Sequence, residues 1–386
     1  MRIAFFFKEN ISNKKGSYWA TINRIKYLMQ VMPDETIDSY LIQFYYNKLS
    51  CWLNGKEYDN NKPSVIESDG LRLKVVWVKI RFIDVLKHRF GCATRNSIEI
   101  KRLQAQAQRF PKYDIISAHS RYGGIIAKEI AKRQSIPFFI TWHGTDIHTA
   151  PYLNKEIFNV TFDVLVTAKC NFFVSNALRE EAKKICPKMS SDVLYNGVGK
   201  EFFLFSKDTR KQYRHLYGAG DKKIIAFCGN LVQIKNVSVL PSIFRQVVEK
   251  SDSECVFWII GDGPLRKELE LGLSKMKCRF WGNQPLEKMP GLFNCVDVLI
   301  LPSLNEGLPL VAIEALSCGA NVVGSNVGGI PEVIGNENSF DLDDMFVTNI
   351  SNRALQMLKY NISQAINVQF NWQKSAEKEA NHYIQC

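Results

Sequence analysis

The stretch Leu301-Pro-Ser-Leu-Asn-Glu-Gly-Leu-Pro-Leu-Val-Ala-Ile-Glu-Ala-Leu-Ser-Cys-Gly319 leaves an apolar run, turns through Gly307 and Pro309, and enters a helical pattern that carries Glu314. A strand end feeding a helix start is where open α/β sheets bind ligands, because the first backbone amides of a helix and its dipole point at an anion. A phosphate suits such a turn. Glu306 lies in the turn and Glu314 about two helical turns farther on, so one carboxylate can reach a sugar hydroxyl and the other a ribose. An acid at a helix start is also a routine capping choice, and spacing alone leaves both readings open.

Outward from this segment, short β-rich apolar runs alternate with helical patterns, the signature of parallel sheets covered on both faces. The expected strands are 2–7, 40–45, 73–78, 114–118, 138–142, 172–174 and 193–195, then 224–228, 256–260, 279–281, 298–301 and 321–324. A helix is expected from about Tyr18 to Met32, capped by Ser17 and closed before Pro33. At 386 residues with 46% hydrophobic composition, the chain exceeds one ordinary core and supports two. The division is expected near Glu201–Lys222, where Lys207–Lys211 and Gly218–Asp221 break the pattern. The expected domains are 1–200 and 201–370, with a helical tail, 371–386, that can return to the first.

The opening Met1–Lys8 carries too short an apolar run for a secretion signal and reads as a buried first strand. No stretch approaches the roughly 18–20 apolar residues of a membrane span, and mean hydropathy is −0.15. Ten scattered cysteines without a C-x-x-C pair read as reduced thiols of a cytosolic protein. His143 and His148 lack the helical frame of a metalloprotease motif, and Asp341-Leu-Asp-Asp344 reads as helix capping, so no metal site is expected. The net charge of +12 is unevenly spread. Residues 1–195 hold 30 Lys and Arg against 18 Asp and Glu, and residues 196–386 hold 20 of each. The first half is either a generic solvated surface or one that faces something anionic; basic and aromatic residues interleave in Leu71–Phe82 and Val85–Phe90, as at a membrane surface or, for Leu71–Phe82, as in a strand with one core face. No nucleic-acid motif is present.

Glu306-x7-Glu314 followed by Cys318-Gly-Ala-Asn-Val-Val-Gly-Ser-Asn-Val-Gly-Gly-Ile-Pro-Glu-Val333 resembles the donor signature of the family-four retaining glycosyltransferases of GT-B fold. The upstream pieces come in family order: Tyr113-Asp-Ile-Ile-Ser-Ala-His-Ser120, Thr141-Trp-His-Gly-Thr-Asp146, Leu194-Tyr-Asn-Gly-Val198, Gly229-Asn-Leu with Lys235-Asn236, Ile260-Gly-Asp-Gly-Pro264 and Phe280-Trp-Gly282. Only residues 40–110 match nothing in the pattern. The resemblance implies an α/β fold of two Rossmann-like domains facing across a cleft, a nucleotide-sugar donor, UDP by first expectation, and a glycan or lipid-linked glycan acceptor. The reduced cysteines and the basic first half add an expectation of work in the cytoplasm, peripheral on the inner face of a membrane.

By the same resemblance, Glu306 bonds hydroxyls of the transferred sugar, Glu314 bonds the ribose, and the amides around Gly307, Leu308, Leu310 and Val311 hold the distal phosphate. Lys235 pairs with the diphosphate beside Gly229 and Asn230, Gly263 shapes the neighbouring turn, and the backbone from Trp281 to Asn283 reads the base. His143 lies against the sugar, and Gly16 opens the first helix close to the phosphates. Two positions depart from the family pattern: Asn230 stands where an arginine is usual, and Gly16 is single where a glycine pair is usual. Retention by a front-face route needs no side-chain nucleophile, since the leaving phosphate oxygen accepts the acceptor's proton, so neither a catalytic base nor a metal is implied. The competing readings are a sugar-nucleotide epimerase or a phosphorylase of the same fold, transfer to a soluble small molecule, and a two-lobed binding protein.

Overall fold

The computed structural model describes residues 1–12, 14, 16–53 and 57–386. The chain divides into two units, residues 1–195 with 372–386, and residues 196–371.

The first unit is an eight-stranded sheet of β1 (Arg2–Phe7), β2 (Thr36–Tyr46), β3 (Val65–Ser68), β4 (Leu71–Ile80), β5 (Ile115–His119), β6 (Phe138–Trp142), β7 (Cys170–Phe173) and β8 (Ser191–Val193) in the order β3-β4-β2-β1-β5-β6-β7-β8. All pairs are parallel except β3 with β4. β1 is buried from Ile3 to Phe7, as expected of a strand covered on both faces. Five helices matter below: α1 (Gly16–Val31), α2 (Lys48–Leu53), α3 (Phe82–Arg89), α4 (Arg95–Gln104) and α5 (Ser120–Gln134). Helix α1 begins two residues earlier than its periodicity suggests. Ser17 therefore sits inside it and is not its cap, and its hydroxyl donates to Glu9 instead.

The stretch Leu71–Phe82 supplies β4, and its basic-aromatic pattern is largely a strand's two faces. Leu71, Leu73, Val76, Val78 and Ile80 are buried while Arg72 and Lys79 are exposed. The Trp77 indole donates to Pro63 C=O at 2.9 Å, and its ring packs on Tyr45. The short strand β3, which sequence periodicity missed, pairs with the first half of β4.

The second unit is a six-stranded parallel sheet: β9 (Lys223–Cys228), β10 (Cys255–Ile260), β11 (Cys278–Gly282), β12 (Val298–Leu301), β13 (Asn321–Ser325) and β14 (Ser339–Phe340), ordered β11-β10-β9-β12-β13-β14. Its core joins Ile225, Phe227, Phe257, Ile259 and Ile300 to Phe244 and Val247 of the helix Leu240–Lys250 and to Ile350 and Met357 of the helix Phe346–Lys359. Residues 207–211, read from sequence as a break, are instead the first turns of a helix, Lys207–Leu216. Ser206 caps it, and Arg210 and Arg214 fasten it to Asp297.

The terminal helix Trp372–Ile384 packs in the first unit. Its Glu379 and Arg24 of α1, both with fully buried side chains, form an ion pair at 3.3 Å. Arg24 also donates to Leu194 C=O at 2.9 Å, and Tyr383 donates to Ser117 and to Glu379.

Candidate functional site

In the second unit, the candidate residues gather where β9 and β12 end. The loop after β9 runs Gly229–Asn236 and the loop after β12 runs Pro302–Pro309. Leu304 N–H donates to Ile234 C=O at 2.8 Å and joins the two loops. Lys235 Nζ and Glu306 Oε1 form a close ion pair, and the Ser303 hydroxyl donates to the same carboxylate oxygen at 2.9 Å. Ser325 in turn donates to Ser303 C=O at 2.5 Å. Lys235 and Glu306, expected on diphosphate and sugar respectively, thus hold each other in the unliganded protein.

The Glu306 loop keeps its shape because Gly328 lies against it. Gly328 has φ +50°, and a Cβ there would sit 1.8 Å from Glu306 C=O. Only glycine meets both demands. Beyond Pro309 the helix Leu310–Ser317 starts without a side-chain cap, and the Leu310 and Val311 amides donate to no described acceptor, so an anion can take them. Glu314, one face farther along, has its carboxyl pushed up to about 8 by burial, with the Glu201 charge adding to the effect. Burial also raises the Cys228 thiol, which feels both Glu314 and Lys235, so these three groups share one locality.

The remaining donor-side positions fall into two sets. Gly229 precedes the Lys235 loop, and the Asn230 side chain makes no described hydrogen bond, so position 230 adds no second cation. Gly263 is needed by packing: its Cβ would meet the Leu231 backbone at 2.5 Å, where the turn 261–264 lies on the loop 229–231. Trp281 differs from expectation. Its C=O accepts from the Gln284 amide at 2.5 Å and the Gly282 C=O accepts from Gly261 N–H. Its ring is enclosed by Tyr217, Trp258 and the Arg279 guanidinium. Of residues 281–283, the carbonyls of Trp281 and Gly282 each accept one hydrogen bond within the unit.

In the first unit, His143 follows β6 and His119 ends β5. Their rings stack at 5.2 Å, with His119 Nδ1 and His143 Nε2 3.0 Å apart. Burial, reinforced by the Arg24 charge, lowers His143 to about 3, and burial with the His143 neighbour lowers His119 further below the ordinary histidine value. Two neutral imidazoles share one N–H between them, which leaves His119 Nε2 and His143 Nδ1 without partners in a buried setting. His119 was legible only as part of Tyr113–Ser120. No sequence signal marked it as the partner of His143. Gly16 opens α1, and among the described residues a Cβ there would meet open space. Its neighbour Lys15 lies outside the described residues.

Among the described residues no group of three His, Cys, Asp or Glu is placed to hold a metal ion. Asp343 accepts from Met345 N–H ahead of the helix Phe346–Lys359.

Two parallel α/β units, with carboxylates, a lysine and free helix amides at the carboxyl edge of the second, define a glycosyltransferase of GT-B fold. Residues 68–202 match the family described as Glycosyltransferase Family 4, and residues 222–359 match Glycosyl transferases group 1. The chain belongs to the family-four glycosyltransferases. It is 28% identical over 308 residues to the N-acetyl-alpha-D-glucosaminyl L-malate synthase of Bacillus anthracis, covering 75% of this chain and 77% of that one. It is 26% identical over 298 residues to the UDP-Gal:alpha-D-GlcNAc-diphosphoundecaprenol alpha-1,3-galactosyltransferase of Escherichia coli, covering 71% and 76%. A match to the putative teichuronic acid biosynthesis glycosyltransferase TuaC of Bacillus subtilis, 28% identical, covers 60% of this chain and only 58% of that relative. The fold is shared with sucrose-phosphate synthase from Thermosynechococcus elongatus (TM-score 0.75, 16% identity, 99% and 98% covered). It is shared too with Anabaena HepE in complex with UDP-glucose (TM-score 0.67, 16% identity, 99% and 97% covered).

Proposed function

We propose that the chain moves a hexose or N-acetylhexosamine from a nucleoside diphosphate sugar, UDP in first place, to a lipid-linked glycan, with retention at the anomeric carbon. The observation that carries this reading is the Lys235–Glu306–Ser303 cluster beside the open amides of Leu310 and Val311, with the half-buried Glu314 in the same loop-helix segment. In the donor complex Lys235 and the amides take the diphosphate, Glu306 turns to the sugar hydroxyls, and Glu314 holds the ribose. As the anomeric bond lengthens, charge grows on the leaving phosphate, where Lys235 and the preorganised amides stabilise it. That phosphate oxygen takes the acceptor's proton on the same face, which gives retention without a base from the protein. His143, kept neutral, offers a hydrogen bond to the sugar.

The lipid-linked acceptor rests on the first unit's charge and on one surface. Around α2 and α3, Trp52 and Phe90 are 75% and 74% exposed, with Leu49 and Ile83 beside them and Lys48, Lys87 and Arg89 at the surface. Aromatic groups seat at the headgroup level and basic ones contribute about 1 kcal/mol each against an anionic leaflet. No described helix is long and apolar enough to cross a membrane, so docking would be peripheral, on the cytoplasmic face.

The test is release of nucleoside diphosphate from a panel of UDP-, GDP- and ADP-sugars, with and without polyprenyl-diphosphate glycans in anionic vesicles, and NMR of the new linkage. Acceptor-dependent release with an axial product supports the reading. An inverted linkage removes the mechanism, and turnover of the nucleotide sugar without transfer favours an epimerase.

A further inference from the structure

Two cations at the carboxyl edge of the first unit's sheet take no part in the donor chemistry. Lys8 follows β1, and Arg121 follows His119 across a turn in which Ser120 has φ +59°, an unusual conformation for a residue with a side chain. Strand pairing sets Phe6 of β1 opposite Ala118 of β5, so both chains leave the sheet side by side. Helix α5 comes close to β1 because Gly123 has no side chain; a Cβ there would sit 2.2 Å from Phe6 C=O. The sequence thus pays for a close approach that places Lys8 and Arg121 on one aromatic ring. Lys8 Nζ is 4.0 Å from the Tyr122 centroid, and the Arg121 guanidinium carbon is 5.0 Å from it.

Neither cation sits in a direct ion pair among the described residues, although both feel the Asp146 carboxyl. Arg121 is only 8% exposed, yet its Nη1 is out of solvent and has no hydrogen-bond partner. Among the described residues neither cation has a carboxylate within ion-pair distance. Glu99 is already engaged, by Arg95 at 2.9 Å and by the Tyr122 hydroxyl at 2.6 Å. Burial holds the Asp146 carboxyl toward its protonated form, against the pull of Arg121. Burial likewise keeps Lys8 below the ordinary lysine value. Burying charge without a direct counter-charge is costly; the Tyr122 ring and the Asp146 carboxyl offset part of the cost, and an arriving anion offsets more.

We propose that Lys8 and Arg121 form a subsite for a phosphate group of the acceptor, beside the hydroxyl that receives the sugar. This rests on the reading that the first unit binds the acceptor, since His119 and His143 stand on the same edge. An arginine fork and a lysine point charge together suit a phosphate. Two acceptors supply that chemistry, a polyprenyl diphosphate glycan or a soluble sugar phosphate.

The test uses the full chain carrying Lys235→Ala, which removes the donor-side cation, titrated calorimetrically with inorganic pyrophosphate. Lys8→Gln should raise the Kd at least tenfold. Arg121→Lys, which keeps the charge and loses the fork, should raise it severalfold. Circular dichroism confirms that both variants fold, and Lys8→Gln stands alone if Arg121→Lys does not. Equal Kd values in Lys8→Gln and its parent overturn the subsite. Competition by polyprenyl diphosphate vesicles or by glucose 6-phosphate then tells a lipid source from a soluble one, and either result supports the shared phosphate chemistry. Loss of donor turnover with every nucleotide sugar would remove the functional reading while leaving Lys8-dependent pyrophosphate binding intact, so the two failures are distinguishable.

Discussion

Lys235→Ala is the most informative change at the donor site, because Lys235 balances two partners in turn. It pairs with Glu306, and in the proposed donor complex it faces the diphosphate. Its removal first deletes a charged hydrogen bond in a partly enclosed site, about 1.5–3 kcal/mol. It also leaves the Glu306 carboxylate facing the diphosphate without a counter-charge. At a separation of about 5 Å and an effective dielectric of about 20, that repulsion is about 3 kcal/mol per unit charge, an upper figure because solvent relaxes around it. Because the repulsion is an upper figure, the sum, about 1.5–6 kcal/mol, corresponds to a loss of roughly 10- to 10⁴-fold in nucleotide affinity at 1.4 kcal/mol per decade. The two parts separate in a double-mutant cycle. Glu306→Gln in the Lys235→Ala background should recover tenfold or more of the affinity for the nucleoside diphosphate, because it removes only the repulsion. Isothermal titration with UDP, or with whichever nucleotide binds, measures all four proteins without needing turnover. Affinity of Lys235→Ala within threefold of the parent, or no recovery on adding Glu306→Gln, would refute the placement of the diphosphate at this pair.

Three further outcomes follow from the geometry. Glu314 has a raised carboxyl in the folded protein, near 8 against an ordinary value of 4.5, so its protonated form is the stable one at neutral pH. Its contribution to stability is full below about pH 4.5 and is lost as pH rises through about 8. A ribose hydroxyl prefers the ionised form, so nucleotide affinity should rise between pH 7 and 9, and Glu314→Gln should flatten that dependence; an unchanged profile in the variant would exclude Glu314 as its source. Gly328→Ala would drive a methyl group into the Glu306 carbonyl and add strain at φ +50°, so kcat/KM should fall by about 10²-fold or more, which steady-state kinetics will show. Glu379→Gln leaves Arg24 buried without its counter-charge, which should cost the first unit about 3–5 kcal/mol in urea unfolding of the full chain; a midpoint unchanged from the parent would mean that the pair is neutral to folding.

The donor side was marked in sequence by the resemblance carried by Glu306-x7-Glu314, which lies in one continuous strand-turn-helix segment, whereas spacing alone left its role open and Lys235 joins it from 71 residues away. Strand 138–142 and strand 298–301 were readable to the residue, being short apolar runs closed by turns. The features that sequence did not show join residues far apart in the chain: His119 with His143, Gly328 beneath Glu306, and Arg24 with Glu379. Local periodicity carries no information on such pairs. The same limit explains Leu71–Phe82. Alternating basic and apolar residues describe both a membrane-seeking ribbon and a strand with one covered face, and only the pairing with β2 and β3 decides for the strand. Lys207–Leu216 failed in the opposite sense, since a helix with no buried residue has no apolar stripe to reveal it. It is held instead by Arg210 and Arg214 reaching Asp297, more than 80 residues away. The segment proposed to touch the donor, 302–317, is thus local in the chain. The contacts that keep its groups in the required charge state and position come from elsewhere in the fold, and their loss should alter pH dependence and affinity even where no ligand atom is touched.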